Sequence, residues 1–200
     1  MVTEDATEKR VVLLLCKDFS RTHTITSLAK ELDLSRVGMW KVLRKLEKKG
    51  YLYLETVGSG KTSTYTTSIN WENILVEKTL ALYLTEEAVK QRRWGTNLAA
   101  LEKEVDFTIL FGSILYAPQQ ANDVDIINVA KKNRFVKIQK ALDIVQKTQA
   151  KKIHAMSFTT SEFRQELKNA NKAFIDAIKK GIVLFGQENF VAFMKGMHGK

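Results

Sequence analysis

The tightest constraint on this chain is a pair of short apolar runs, each carrying chemistry at one end. Asp106-Phe107-Thr108-Ile109-Leu110-Phe111 is rich in strand-forming residues and stops at Gly112-Ser113. Nine residues later, Asp123-Val124-Asp125-Ile126-Ile127 alternates carboxylate and apolar side chains. On a strand, positions i and i+2 face the same way, so Asp123 and Asp125 point together while Val124 and Ile126 point into a core. Two carboxylates held that close repel each other. A divalent cation is the usual reason to keep them there, and Mg²⁺ or Mn²⁺ shared with substrate phosphates suits such oxygen ligands. Glycine lets backbone approach a bulky anion, and a serine opening a helix offers its hydroxyl and free N–H groups to phosphate. The stretch therefore reads as a metal–triphosphate site: Gly112 and Ser113 on the phosphates of a nucleoside triphosphate, Asp123 and Asp125 on the metal. The competing reading is an ordinary strand pair with solvated aspartates.

Phe111-Gly112-Ser113 followed by Asp123-Val124-Asp125-Ile126 resembles the minimal nucleotidyltransferases of the DNA polymerase beta-like superfamily over roughly residues 105–186. The resemblance implies a small mixed-sheet α+β domain with catalytic Asp123 and Asp125. The implied reaction is Mg²⁺-dependent transfer of a nucleoside monophosphate to a hydroxyl acceptor, on protein or RNA. It also implies a third carboxylate on the next strand of the sheet. The strand expected over 151–158 carries His154, Met156 and Ser157 but no Asp or Glu. Glu162 and Asp143 lie on the flanking helices, off the family position.

The first seventy residues follow a different plan. A helix is expected from about 5 to 19, with Val11, Val12, Leu14, Leu15 and Phe19 inward. Thr24 caps a second helix and Ser35 a third that runs to Lys49, where Gly50 ends it. Leu32-Asp33-Leu34-Ser35 makes the tight turn between them, with Asp33 in the left-handed region. Tyr51–Thr56 and Thr62–Thr67 read as strands joined by the glycine-rich tip Val57-Gly58-Ser59-Gly60-Lys61. This order resembles the winged helix-turn-helix DNA-binding domains of prokaryotic transcription regulators, with Gly38 standing where Ser or Thr is common. In the third helix Met39, Val42, Leu43 and Leu46 fall on the inward face, and Arg36, Trp40 and Arg44 form a separate stripe beside Val37 and Lys41. The resemblance implies that the N-terminal part of this helix meets base edges of double-stranded DNA, and that Arg44, Lys45 and Lys61 meet phosphates. Trp40 has two readings, packed or base-contacting.

The fold class that follows is α+β, in three parts: a winged helix-turn-helix over 1–70, a helical connector over 71–104, and a nucleotidyltransferase-like domain over 105–200. In the connector Ile74, Leu75, Thr79, Leu82, Tyr83 and Val89 recur at helical spacing, and Asn97 is placed to cap a short helix after a break at Gly95. These helices extend the first domain or make a homodimer interface. Thirty-two Lys and Arg against 22 Asp and Glu give a net charge of +10, which favours an anionic partner. Cys16 is the only cysteine, so intrachain disulfides and cysteine zinc sites are excluded. The charged N-terminus and the short apolar run Val11–Cys16 lead to an expectation of no signal peptide, no membrane span and a cytoplasmic setting. Two functions stay open: a DNA-binding nucleotidyltransferase, and a non-catalytic transcriptional regulator or antitoxin-like protein whose second domain only binds nucleotide or a partner.

Overall fold

Thr24 and Ser35 each start a helix by accepting hydrogen bonds from first-turn amides that have no partner inside the helix. In the computed structural model, which describes residues 4–58 and 64–198, α1 is Glu4–Lys17, β1 the pair His23–Thr24, α2 Ile25–Glu31 and α3 Arg36–Lys48. The Thr24 hydroxyl accepts from the Ser27 amide, and the Ser27 hydroxyl accepts from the Thr24 amide at 2.8 Å, a closed capping box. Ser35 accepts from the Gly38 amide at 3.0 Å. Between α2 and α3, Asp33 sits at φ 55°, the left-handed turn residue expected there. The end of α3 is closed by Gly50 at φ 72°. Its amide donates to Glu47 O at 2.8 Å, and the Tyr51 amide donates to Leu46 O at 2.9 Å, so two otherwise orphaned carbonyls are satisfied.

The chain then turns into a hairpin, β2 Leu52–Val57 and β3 Thr64–Ile69, antiparallel from Leu52↔Ile69 to Val57↔Thr64. Its tip, with Lys61, lies outside the described residues. β1 pairs with β3 and completes a three-stranded sheet in the order β1-β3-β2. Val11, Val12 and Leu15 of α1, Leu28 and Ala29 of α2, and Met39, Val42, Leu43 and Leu46 of α3 are buried together with Leu52 and Ile69. The inward face of α3 is the one its periodicity implies.

One buried charge ties α1 to α3. Glu8 is 4 % exposed, and its carboxylate meets Lys49 Nζ at 2.6 Å and Lys45 Nζ at 2.7 Å. Burial by itself raises the Glu8 pKa, but the hydrogen bonds and charges of Lys45 and Lys49 outweigh it and hold the carboxyl below its ordinary value. A depressed folded value means that the stabilisation is present above the unfolded pKa of about 4.3 and is lost as pH falls through the folded value. Glu8→Gln is expected to lower the unfolding free energy at neutral pH by roughly 1–3 kcal/mol, with the difference from wild type shrinking in acid. Urea denaturation of both proteins at neutral and acid pH checks this; an equal loss at both would assign the effect to packing rather than charge.

Helix α4, Ile74–Val89, follows. The chain divides into two compact units, Met1–Tyr83 and Leu84–Lys200, so the boundary falls inside α4 and divides the stretch expected as a connector. The residues whose spacing predicted this helix are mostly not the ones it buries. Val76, Leu80, Ala81 and Leu84 are buried, whereas Ile74, Leu75, Leu82 and Val89 are exposed. Apolar residues occur on both sides of α4, so period alone did not choose the inward one. The expected break at Gly95 is also absent: α5 runs Arg92–Asn97 through it, and Asn97 ends that helix instead of capping the next.

The second unit is built on a four-stranded mixed sheet. β4 is Phe107–Phe111, β5 Asp123–Val129, β6 Lys152–Phe158 and β7 Ile182–Phe185, in the order β6-β5-β4-β7. β4 is antiparallel to both β5 and β7, while β5 and β6 run parallel. A parallel pair needs a crossover, which is supplied by α6, Phe135–Gln146, packed through Ile138, Leu142 and Val145. α7 Thr160–Lys168 and α8 Lys172–Lys180 follow β6, and α9 Gln187–His198 follows β7. Val124, Ile126, Leu110, Ile114, Leu184 and the inward residues of α6 form one cluster with Trp94, Leu98 and Leu101. Phe107 packs edge-on against Phe163 and Phe190, with ring centroids 6.2 and 5.5 Å apart. Among the described residues no helix is long and apolar enough to cross a membrane.

Candidate functional site

The end of the β4–β5 ladder brings the two chemical runs together. Phe111 is the register partner of Asp125, so the bend at Gly112 lies beside that carboxylate. Val124 and Ile126 are fully buried, while Asp123 and Asp125 are part-exposed on the opposite face of β5, as the alternation requires. Gly112 has φ 82°, a region that L side chains rarely adopt. A Cβ at this position would run into the Asp125 carboxylate, so the absence of a side chain at 112 makes room for Asp125. Ser113 is exposed, and the helix expected after it is a single 3-10 turn, Ser113–Leu115. So short a turn carries little dipole. What it offers an anion is the Ser113 hydroxyl and the open approach at Gly112.

The neighbouring strand adds a residue that was not expected to be a ligand. In the parallel register of β5 and β6, Asp123 lies beside Lys152 and Asp125 beside His154. His154 Nδ1 is 3.2 Å from Asp123 Oδ2 and 3.7 Å from Asp125 Oδ1. One ligand atom from each of the three residues lies within 4.8 Å of the others. All three side chains reach solvent, at 33 % for Asp123, 28 % for Asp125 and 46 % for His154. Burial first, and then the charge of Asp123, push the Asp125 pKa above the usual carboxylate range, and His154 opposes them. One signal in the sequence pointed to His154: it is the third residue of its strand, as Asp125 is of β5, and parallel strands pair residue by residue.

The other two acids considered for a third carboxylate are committed elsewhere. Glu162 closes a capping box at the start of α7, accepting from the Thr159 amide and hydroxyl at 2.8 Å each. Those bonds hold its pKa down, the Thr159 amide first. Asp143 accepts from Gln139 at 2.9 Å along the exposed side of α6. Lys137 and Lys140 are exposed on α6, a solvated face. Arg134 reaches Lys103 O at 3.4 Å.

In the first unit, the outward side of α3 carries Arg36, Val37, Lys41 and Arg44, all exposed. Trp40 is half-buried and packs on Tyr65 of the hairpin, centroids 4.9 Å apart. Arg44 lies over the Trp40 ring at 5.5 Å and pairs with Glu47. Arg36, Val37, Trp40, Thr64 and Tyr65 line a surface groove between α3 and the hairpin, floored by Ile25. Lys45 lies on the flank facing α1, where its ammonium pairs with Glu8 at 2.7 Å.

Comparison with protein-family models, with curated proteins and with solved structures finds no match.

Proposed function

We propose that this chain is a DNA-binding nucleotidyltransferase that uses a divalent cation to move a nucleoside monophosphate from a nucleoside triphosphate to a hydroxyl acceptor. The observation that carries this reading is the shared face of Asp123 and Asp125 beside the Gly112 bend, with His154 Nδ1 3.2 Å from Asp123. Paired carboxylates, one with a raised pKa, next to an imidazole and a bend kept clear of side chain, fit a cation and a polyphosphate better than a solvated strand end. Asp123 and Asp125 would hold the cation, and Gly112 and Ser113 would receive the β- and γ-phosphates. Bound there, a divalent cation neutralises phosphate charge and draws electron density from the α-phosphorus. The acceptor oxygen bonds to the α-phosphorus, the bond to the bridging oxygen breaks, pyrophosphate leaves, and the hydroxyl proton passes to solvent. On the first unit, the helix–turn–helix order, the hairpin and the outward arginines and lysine of α3 support a winged helix docked in the major groove of double-stranded DNA.

A second reading has its own observation. The place on β6 next to Asp125 is held by His154, not by a carboxylate, which favours a regulator that binds nucleotide without turning it over. Incubation with α-labelled nucleoside triphosphates, with Mg²⁺ or Mn²⁺ and candidate protein and RNA acceptors, separates the two. The transferase reading expects cation-dependent label transfer and pyrophosphate release that vanish in Asp123→Asn, with DNA binding retained. Nucleotide binding with no turnover under any of these conditions would leave the regulator.

A further inference from the structure

The donor set at the cluster does not match an ordinary Mg²⁺ site. Mg²⁺ favours carboxylates, phosphates and water, and imidazole is a poor ligand for it. Here two carboxylates face a ring nitrogen supplied by the neighbouring strand. The spacing bears on this. Two ligands at right angles on one octahedral cation, each about 2.1 Å from it, stand about 3 Å apart. Asp123 Oδ2 and His154 Nδ1 are separated by 3.2 Å. The pair therefore stands close to the spacing of two ligands on one cation. Asp125 Oδ1, 3.7 Å from the same nitrogen, completes a triangle open to solvent on one side, where further oxygens from water or phosphate would enter. Lys152, the register partner of Asp123, is exposed.

We infer that Asp123, Asp125 and His154 form a mixed oxygen–nitrogen site that selects a first-row transition cation, with Mn²⁺ as its first representative, over Mg²⁺. His154 is a ligand in its own right, in the place where a third carboxylate would make the site all-oxygen. The inference rests on the site proposed above as the transferase centre, and specifies which cation that centre uses.

The test needs no turnover. Mn²⁺ is titrated into the full-length protein and free aquo-Mn²⁺ is followed by electron paramagnetic resonance, with Mg²⁺ and then Zn²⁺ as competitors. The wild type is expected to bind one Mn²⁺ per chain, to resist Mg²⁺ at more than about tenfold excess, and to yield to Zn²⁺, following the order of divalent affinities at nitrogen-containing sites. His154→Ala and His154→Asn are expected to lower Mn²⁺ affinity by about tenfold or more. His154→Asp is expected to keep the ion but let Mg²⁺ compete on nearly equal terms. Position 154 is 46 % exposed, and thermal melting of each variant checks folding. Mg²⁺ displacing Mn²⁺ one for one from the wild type, or unchanged Mn²⁺ affinity in His154→Ala, would overturn the inference while leaving the transferase reading intact. Selective Mn²⁺ binding lost in Asp123→Asn, without label transfer under any condition, would keep the metal site and remove the transferase reading. No Mn²⁺ binding in any variant would overturn both.

Discussion

Arg36→Ala combined with Arg44→Ala is expected to weaken binding of double-stranded DNA by about 10–100-fold at physiological salt, and to flatten the salt dependence by roughly one charge, that of the phosphate contact of Arg44. Both residues lie on the outward side of α3, at the edge of the groove that Trp40 and Tyr65 share with the hairpin. Arg36 sits in the first turn, the part of a recognition helix that reaches base edges. Arg44 reaches phosphate by exchanging its exposed pairing with Glu47, and such pairs contribute little, at most about 1 kcal/mol. Lys45→Ala is the internal control. Its ammonium is occupied by Glu8, so it is expected to lower stability more than DNA affinity. Fluorescence anisotropy with a labelled duplex at several salt concentrations measures all three proteins. A double variant with the affinity and slope of wild type would take α3 out of the DNA interface.

Asp125→Asn is expected to abolish label transfer, by about a thousandfold or more in rate, and at the same time to make the cation-free protein more stable at neutral pH. The second effect follows from the sign of its pKa. Burial first, and the charge of Asp123 second, raise the folded value. The folded state then binds the proton more tightly than the unfolded chain, so stability falls as pH rises through the folded value and recovers as pH drops below the unfolded value of about 3.9. Removing the charge relieves that penalty, a gain of up to about 1 kcal/mol at neutral pH that disappears in acid. Adding Mn²⁺ should reverse the order, because a cation bound only by the folded wild type stabilises it in proportion to occupancy. Melting curves of both proteins, with and without Mn²⁺ at neutral and acid pH, give the four comparisons. An Asn variant less stable than wild type without metal would mean that the carboxylate serves the fold.

The parts of this molecule that could be read from the sequence are those governed by local period and local turn chemistry. Met39, Val42, Leu43 and Leu46 were placed inward because a one-sided helix has only one way to face. Asp33, Gly50 and the caps at Thr24 and Ser35 were legible because each answers a backbone need within four residues. The common side of Asp123 and Asp125 followed from a two-residue alternation. What failed depended on partners distant in the chain. α4 is apolar on both sides, so Val76, Leu80 and Leu84 could be chosen over Leu75, Leu82 and Val89 only by what packs on them. β1 is two residues long and has no period at all. The pairing of Lys45 with Glu8, far off in the chain, was likewise invisible to spacing. His154 was visible as a residue but not as a neighbour, because a crossover helix separates it from Asp125 and only the register of two parallel strands brings them side by side.

The backbone at Gly112 sets the order in which this site can be lost or regained. At φ 82° and ψ −167° residue 112 lies in a region essentially restricted to glycine, so it stays glycine whether or not the Asp125 carboxylate is beside it, and a Cβ there would also meet that carboxylate. A change at 125 therefore leaves the bend as it was, and one reversion restores the pair. Descendants of such a chain that lost the acid would keep the road back open.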